Sequence, residues 1–303
     1  MSRSPSPSSP PSPAKPSARP SPGPSRVRRR TALAAAVAAA AALAVPAGTA
    51  AAAPVPAPGP HAGHPRPPVK QPVATGFGGA VSTVDLDASR TALDVLKHGG
   101  NAMDAAVAAG ATLGVTEPYV SAIGGGGYIT YYDARKRRVY AIDGREFAPK
   151  RMRQDAFIDP ATGRPLPFDQ AVTSGLSVGV PGTLAQWDLA LRRFGTRDLG
   201  RLLRPAIKIA DRGFVVDQEF HDQTAVNEAR FRDIVPTREL FLPGGKVPEV
   251  GSVFRNPDLA DTYRQLARRG IGWFYEGGLG REIARTVAEP PVDPGAARDV
   301  RPG

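Results

Sequence analysis

The stretch Gly124–Pro149 reads GGGGYITYYDARKRRVYAIDGREFAP, and the reading of its glycines decides the fold. A phosphate-binding loop needs a helix directly after the glycines, so that free N–H groups and the helix dipole face the phosphate. Gly127 leads instead into Tyr128-Ile-Thr-Tyr-Tyr132, a β-rich run, and the Gly-Lys-Ser or Gly-Lys-Thr of such a loop is missing. Asp133 to Arg137 makes a polar turn, and Arg138-Val-Tyr-Ala-Ile142 returns with the alternation of a hairpin strand. The glycines therefore read as a sheet-entry loop that permits close backbone approach. The hairpin ends on Asp143-Gly-Arg-Glu146, which places one arginine, Arg145, just beyond the strand. A guanidinium is a planar, always-charged, bidentate partner for a carboxylate. Spacing alone equally allows Arg145 to pair with Asp143 or Glu146 on the surface. Arg135, Lys136, Arg137 and Arg138 read as a solvated turn.

On both sides of the hairpin the pattern alternates. Phe77 to Val84 predicts a strand. Asp87 or Ser89 can cap a helix running to Lys97, with His98-Gly99-Gly100 as its stop. Asn101 caps a second helix, Ala102 to about Val115, with Asp104 in its first turn. That helix is apolar on every side and is expected to be buried. Downstream, Pro181 opens a helix with Leu184, Trp187, Leu191 and Phe194 on one side, closed by Gly195. Pro205 begins another that stops at Gly213, and Asn256-Pro257 caps a third, with Leu259, Tyr263 and Leu266 on one side and Gly270 as its stop. The aromatics of these helices read as core. His221 reads as a surface histidine, since no paired nucleophile or acid accompanies it.

Composition bounds the function. The 303 residues include no cysteine, which removes disulfides, thiol nucleophiles and thiolate metal sites. The net charge of +11 is carried at the front: residues 1–70 hold nine Lys or Arg and no acid, leaving 30 basic and 28 acidic residues beyond them. A nucleic-acid partner for the folded part loses its support. Residues 1–25 are a Ser/Pro-rich extension expected to be disordered. Residues 26–53, with Arg26-Val-Arg-Arg-Arg30 before an Ala-rich apolar run and an Ala-x-Ala exit, read as an export signal. The run is about 15 residues, short of the roughly 20 that a span needs, so no permanent membrane anchor is expected and the protein is expected outside the cytoplasm. A Pro-rich linker, 54–74, leads to a domain at 75–288, followed by an irregular tail, 289–303.

Six stretches together resemble one family. Asp94-Val-Leu-Lys-His-Gly-Gly-Asn-Ala-Met-Asp-Ala-Ala-Val107, Gly124–Gly127, Ile142-Asp-Gly-Arg-Glu-Phe-Ala-Pro149, Ser177-Val-Gly-Val-Pro-Gly182, Leu203–Phe214 and Phe274-Tyr-Glu-Gly277 are similar to the large-subunit portion of γ-glutamyltransferases, also called glutathione hydrolases. The resemblance implies an α/β (α+β) N-terminal-nucleophile hydrolase, an αββα sandwich that is incomplete in this chain. It implies a precursor that cuts itself, and a small subunit whose new N-terminal Thr attacks the γ-glutamyl carbonyl with its own amine as base. It makes Arg145 the clamp for the α-carboxylate of γ-glutamyl compounds such as glutathione, and it implies no cofactor and no metal. Family members continue well past the point matching Ala288, so the resemblance places the nucleophile in a missing small subunit and no catalytic residue within this chain. The alternative reading is a non-catalytic, exported γ-glutamyl-binding or structural protein, separated from the first by ligand affinity without turnover.

Overall fold

The computed structural model describes residues 69–70 and 72–296. The Ser/Pro extension, the export signal and most of the linker lie outside the described residues, as does the tail beyond residue 296. The order is α1 (Leu86–Lys97), α2 (Ala102–Thr116), β1 (Gly127–Asp133), β2 (Arg138–Gly144), α3 (Phe168–Thr173), α4 (Thr183–Phe194), α5 (Leu199–Arg212), β3 (Phe214–Val215), α6 (Gln218–Phe231), α7 (Val235–Phe241), β4 (Val253–Phe254), α8 (Pro257–Arg269), α9 (Gly272–Tyr275) and α10 (Gly278–Ala288). β1 pairs antiparallel with β2, and β3 with β4.

The mostly apolar α2 occupies the centre. Its Val107, Ala111 and Val115 meet Leu184 and Trp187 of α4, Leu202, Leu203, Ala206 and Ala210 of α5, and Tyr263 and Leu266 of α8. Small side chains on α2 let these helices approach closely. Tyr263 is fully buried, and its hydroxyl donates to the Ala111 carbonyl at 3.1 Å. The N-terminus of α2 is held by the expected Asn101 cap, which forms a reciprocal capping box with Asp104. Buried Asp104 also accepts from Thr196 N, Thr196 Oγ1 and Arg197 N at 2.9, 2.6 and 3.1 Å, tying α2 to the α4–α5 connection. Burial works against its ionised form, but these bonds outweigh it and hold the carboxyl below the usual range.

Three local expectations are corrected. Phe77–Val84 is not a strand: no described strand lies beside it to share a ladder, and Phe77 is fully exposed. The cap of α1 is Asp85 rather than Asp87 or Ser89, with Asp85 Oδ1 accepting from Ala88 N at 2.8 Å. α5 begins at Leu199 behind an Asp198 cap and carries Pro205 inside it. An internal proline costs about 3 kcal/mol, whereas burying Leu202 and Leu203 in the extra turn recovers about 1.5–3 kcal/mol each. Around Tyr119 an aromatic cluster gathers from distant segments. Its ring stacks on Phe231 at 6.2 Å and meets Phe220 edge-on at 5.4 Å. Residues 289–296 are irregular but anchored: Val292 bridges Ile234, and Asp293 pairs with Arg238.

Candidate functional site

β1 and β2 form the expected hairpin, in register from Gly127↔Gly144 to Asp133↔Arg138. Asp133 Oδ1 accepts from Arg135 N and Lys136 N to close the turn, and Arg137 takes a left-handed φ of 49°. Arg135 to Arg138 are exposed, as a solvated turn requires. The inner face of the hairpin, Ile129, Tyr131 and Ile142, packs on Met103, Ala190 and Phe194. Its end is therefore fixed to α2 and α4.

Two glycine segments grip that end. Gly125 O accepts from Gly182 N and Thr183 N at 2.9 and 3.1 Å, joining the Gly124–Gly127 loop to the start of α4. A Cβ at Gly126 would stand 2.3 Å from the Gly144 carbonyl oxygen, and one at Gly182 only 2.1 Å from the same atom, so only glycine fits at either place. Gln186 donates Nε2 to both Gly127 O and Ile142 O at 2.9 and 3.0 Å, clasping the two strands together. Phe147 and Val180 form an isolated antiparallel bridge just beyond.

Arg145 comes directly after this clasp. Its backbone N–H donates to Asp143 Oδ1 at 2.9 Å, a turn that fixes the direction in which the side chain leaves. The side chain is 55% exposed, with Nε 3.3 Å from Glu146 Oε2. Glu146 Oε2 is buried and accepts no hydrogen bond among the described residues, so this contact is charge attraction without hydrogen-bond geometry. The Arg145 Nη atoms make no hydrogen bond among the described residues. The structure thus shows the neighbour contact to Glu146, with the Nη atoms of the guanidinium unbonded among the described residues at the strand end.

A cleft of about 580 Å³ begins at Val180 and is lined by Val178, Pro181, Phe274, Tyr275 and Ile283, without Arg145. Tyr275 Oη donates to Pro181 O at 2.9 Å and accepts from Ala185 N at 3.1 Å, holding the entry to α4. Burial raises the Tyr275 hydroxyl above its ordinary pKa. His221 makes a structural bond, Nδ1 to Pro248 O at 2.9 Å, and brings no acid or nucleophile to Arg145. Sequence reasoning passed over Gln186. Its signal was the buried row Thr183, Gln186, Ala190 at i, i+3 and i+7 of α4, which a search for apolar residues alone misses.

Residues 88–295 match the Gamma-glutamyltranspeptidase family profile. The chain is 37% identical over 233 residues to the glutathione hydrolase proenzyme of Bacillus subtilis (strain 168), covering 76% of this chain and 39% of that protein. It is 36% identical over 213 residues to the Escherichia coli (strain K12) glutathione hydrolase proenzyme, covering 69% of this chain and 36% of that one. Among solved structures, Helicobacter pylori gamma-glutamyltranspeptidase superposes with a TM-score of 0.68 at 32% identity, over 71% of this chain and 61% of that one. The chain spans about two fifths of the length of these curated relatives.

Proposed function

Because the chain belongs to the gamma-glutamyltranspeptidase family and shares the N-terminal-nucleophile hydrolase fold of its structural relatives, we propose that it is the front part of a glutathione hydrolase. The whole enzyme cleaves γ-glutamyl amides and passes the γ-glutamyl group to water, amino acids or peptides. In this reading the chain supplies the carboxylate end of the substrate site. Arg145 grips the α-carboxylate through its open fork, and the β1–β2 hairpin, clasped by Gln186 and the two glycine segments, holds it still. Fixing one end of the substrate in this way fixes the distant carbonyl, where positional error is costly. The nucleophilic Thr and the donors that steady the tetrahedral oxyanion come from a Thr-led small subunit outside these 303 residues. Synthesis as an exported zymogen belongs to the same reading.

The observation that carries the proposal is the Arg145 guanidinium, presented at a glycine-clasped strand end with its Nη atoms free of hydrogen bonds among the described residues. The test uses γ-glutamyl-p-nitroanilide. The purified chain is expected to release no nitroaniline alone, and to do so when co-produced with a Thr-led small-subunit segment from its own coding region. In the active assembly Arg145→Ala raises KM for this substrate by about a hundredfold, as loss of a charge-assisted bidentate contact would. Turnover by the chain alone, or an unchanged KM in the variant, would overturn the assignment.

A further inference from the structure

A second cavity, of about 340 Å³, lies where the start of α1, the end of α2 and the β3–α6 connection meet. Four carboxylates line it: Asp85 and Asp87 at the start of α1, Glu117 at the end of α2, and Asp217 before α6. Asp85 and Asp217 cap α1 and α6. Glu117 has no such employment. It is 4% exposed, it sits at the C-cap of α2 beside that helix's negative pole, and its carboxylate makes no hydrogen bond among the described residues. A buried, unbonded carboxylate at that place is costly unless a cation answers it.

Of the wall's arginines, Arg90 lies 3.7 Å from Asp87 and Arg255 Nε donates to the Arg212 carbonyl, and neither bonds to Glu117 or Asp217. The cation that reaches in is Lys70, whose Nζ lies 2.8 Å from Asp217 Oδ2. Burial opposes the Lys70 charge, but the bond to Asp217 and the charges of Asp217, Glu117 and Asp85 prevail and raise its pKa. Burial, with Asp217, Asp85 and Glu219 pushing the same way and Lys70 against them, takes Glu117 up to about 7.

We propose that this cavity is a binding site for a primary alkylammonium group, and that Lys70, on the segment leading into the domain, is its built-in occupant. An ammonium is a compact charge with three donors, which suits acceptors arriving from separate elements. The carboxylates do not converge as a metal ion would need: among the described residues no group of three His, Asp or Glu is arranged to hold one.

The test is calorimetric titration of the purified chain with putrescine at low salt and pH 8, where the amine is charged. Lys70→Ala vacates the site and is expected to bind putrescine at least tenfold more tightly than the wild type. Lys70→Ala combined with Glu117→Gln loses that gain. If circular dichroism shows that double variant unfolded, Lys70→Ala with Asp217→Asn replaces it, since asparagine keeps the helix cap. No gain in Lys70→Ala, a gain that survives loss of the carboxylate, or equal binding of calcium or tetramethylammonium would each overturn the proposal.

Discussion

Lysine in place of Arg145 would keep the charge at the end of β2 and remove the planar fork. In the active assembly Arg145→Lys is expected to raise KM for γ-glutamyl-p-nitroanilide about tenfold, less than Arg145→Ala does, because a point charge retains part of the attraction. Steady-state kinetics decides this, and equal KM values for the lysine and alanine variants would show that charge placement is not what the residue supplies. Glu117 makes a different claim, on stability. Its folded pKa of about 7 lies above the usual value for a glutamate. Its contribution is therefore fully present below the unfolded pKa and is lost as pH rises through about 7. Allowing for partial solvation, ionising it costs about 2 kcal/mol. Glu117→Gln should thus be about 2 kcal/mol more stable than the wild type at pH 8 and equal to it near pH 4. Urea midpoints measured across that range check it, and parallel curves would refute it.

Between elements the connections rest on few atoms. Asp104 joins the start of α2 to the α4–α5 connection, so Asp104→Ala leaves the part-buried donors of Asn101, Thr196 and Arg197 without that partner. A loss of about 3 kcal/mol is expected in chemical denaturation. Because the Asp104 pKa is depressed, its contribution is present above the ordinary carboxylate range and fades as pH falls through the depressed value. Gly182→Ala would place a methyl group against the Gly144 carbonyl. The amides of Phe147 and Val180, which bond to each other's carbonyls, should then exchange with solvent at least tenfold faster while the buried amides of α2 do not change. Uniform exchange across both would deny the clasp its local role. The elements legible in advance were those with local punctuation. The Asn101 cap marked α2, Asn256-Pro257 and Gly270 marked α8, and the Gly127 entry with the Asp133 turn marked the hairpin. α6 escaped notice because only Phe220 and Thr224 of its 14 residues are buried. α10 buries none at all, its Ile283, Ala284 and Val287 lining the cleft instead.

For the molecule as a whole, much apolar surface remains open. Tyr128, Tyr132, Phe147 and Phe168 are 72%, 59%, 72% and 73% exposed. Tyr128 and Tyr132 share the outer face of β1, and an exposed apolar face of this kind marks a contact surface. The purified chain is expected to enhance the fluorescence of anilinonaphthalene sulfonate under native conditions, and to lose that enhancement when the Thr-led segment is bound. Dye fluorescence indifferent to that segment would place the contact on another face. The buried central helix, the hairpin and the family were all readable from the order of residues, because caps, turns and apolar periodicity act within a few positions. Folding in three dimensions was needed to establish that Phe77–Val84 is no strand, that α5 runs through Pro205, that Gln186 clasps the hairpin, and that Lys70 pairs with Asp217 in a cavity that Glu117 also lines. Each of these depends on a partner far away along the chain, and the free energy of such a contact arises only once the intervening segments have folded around it.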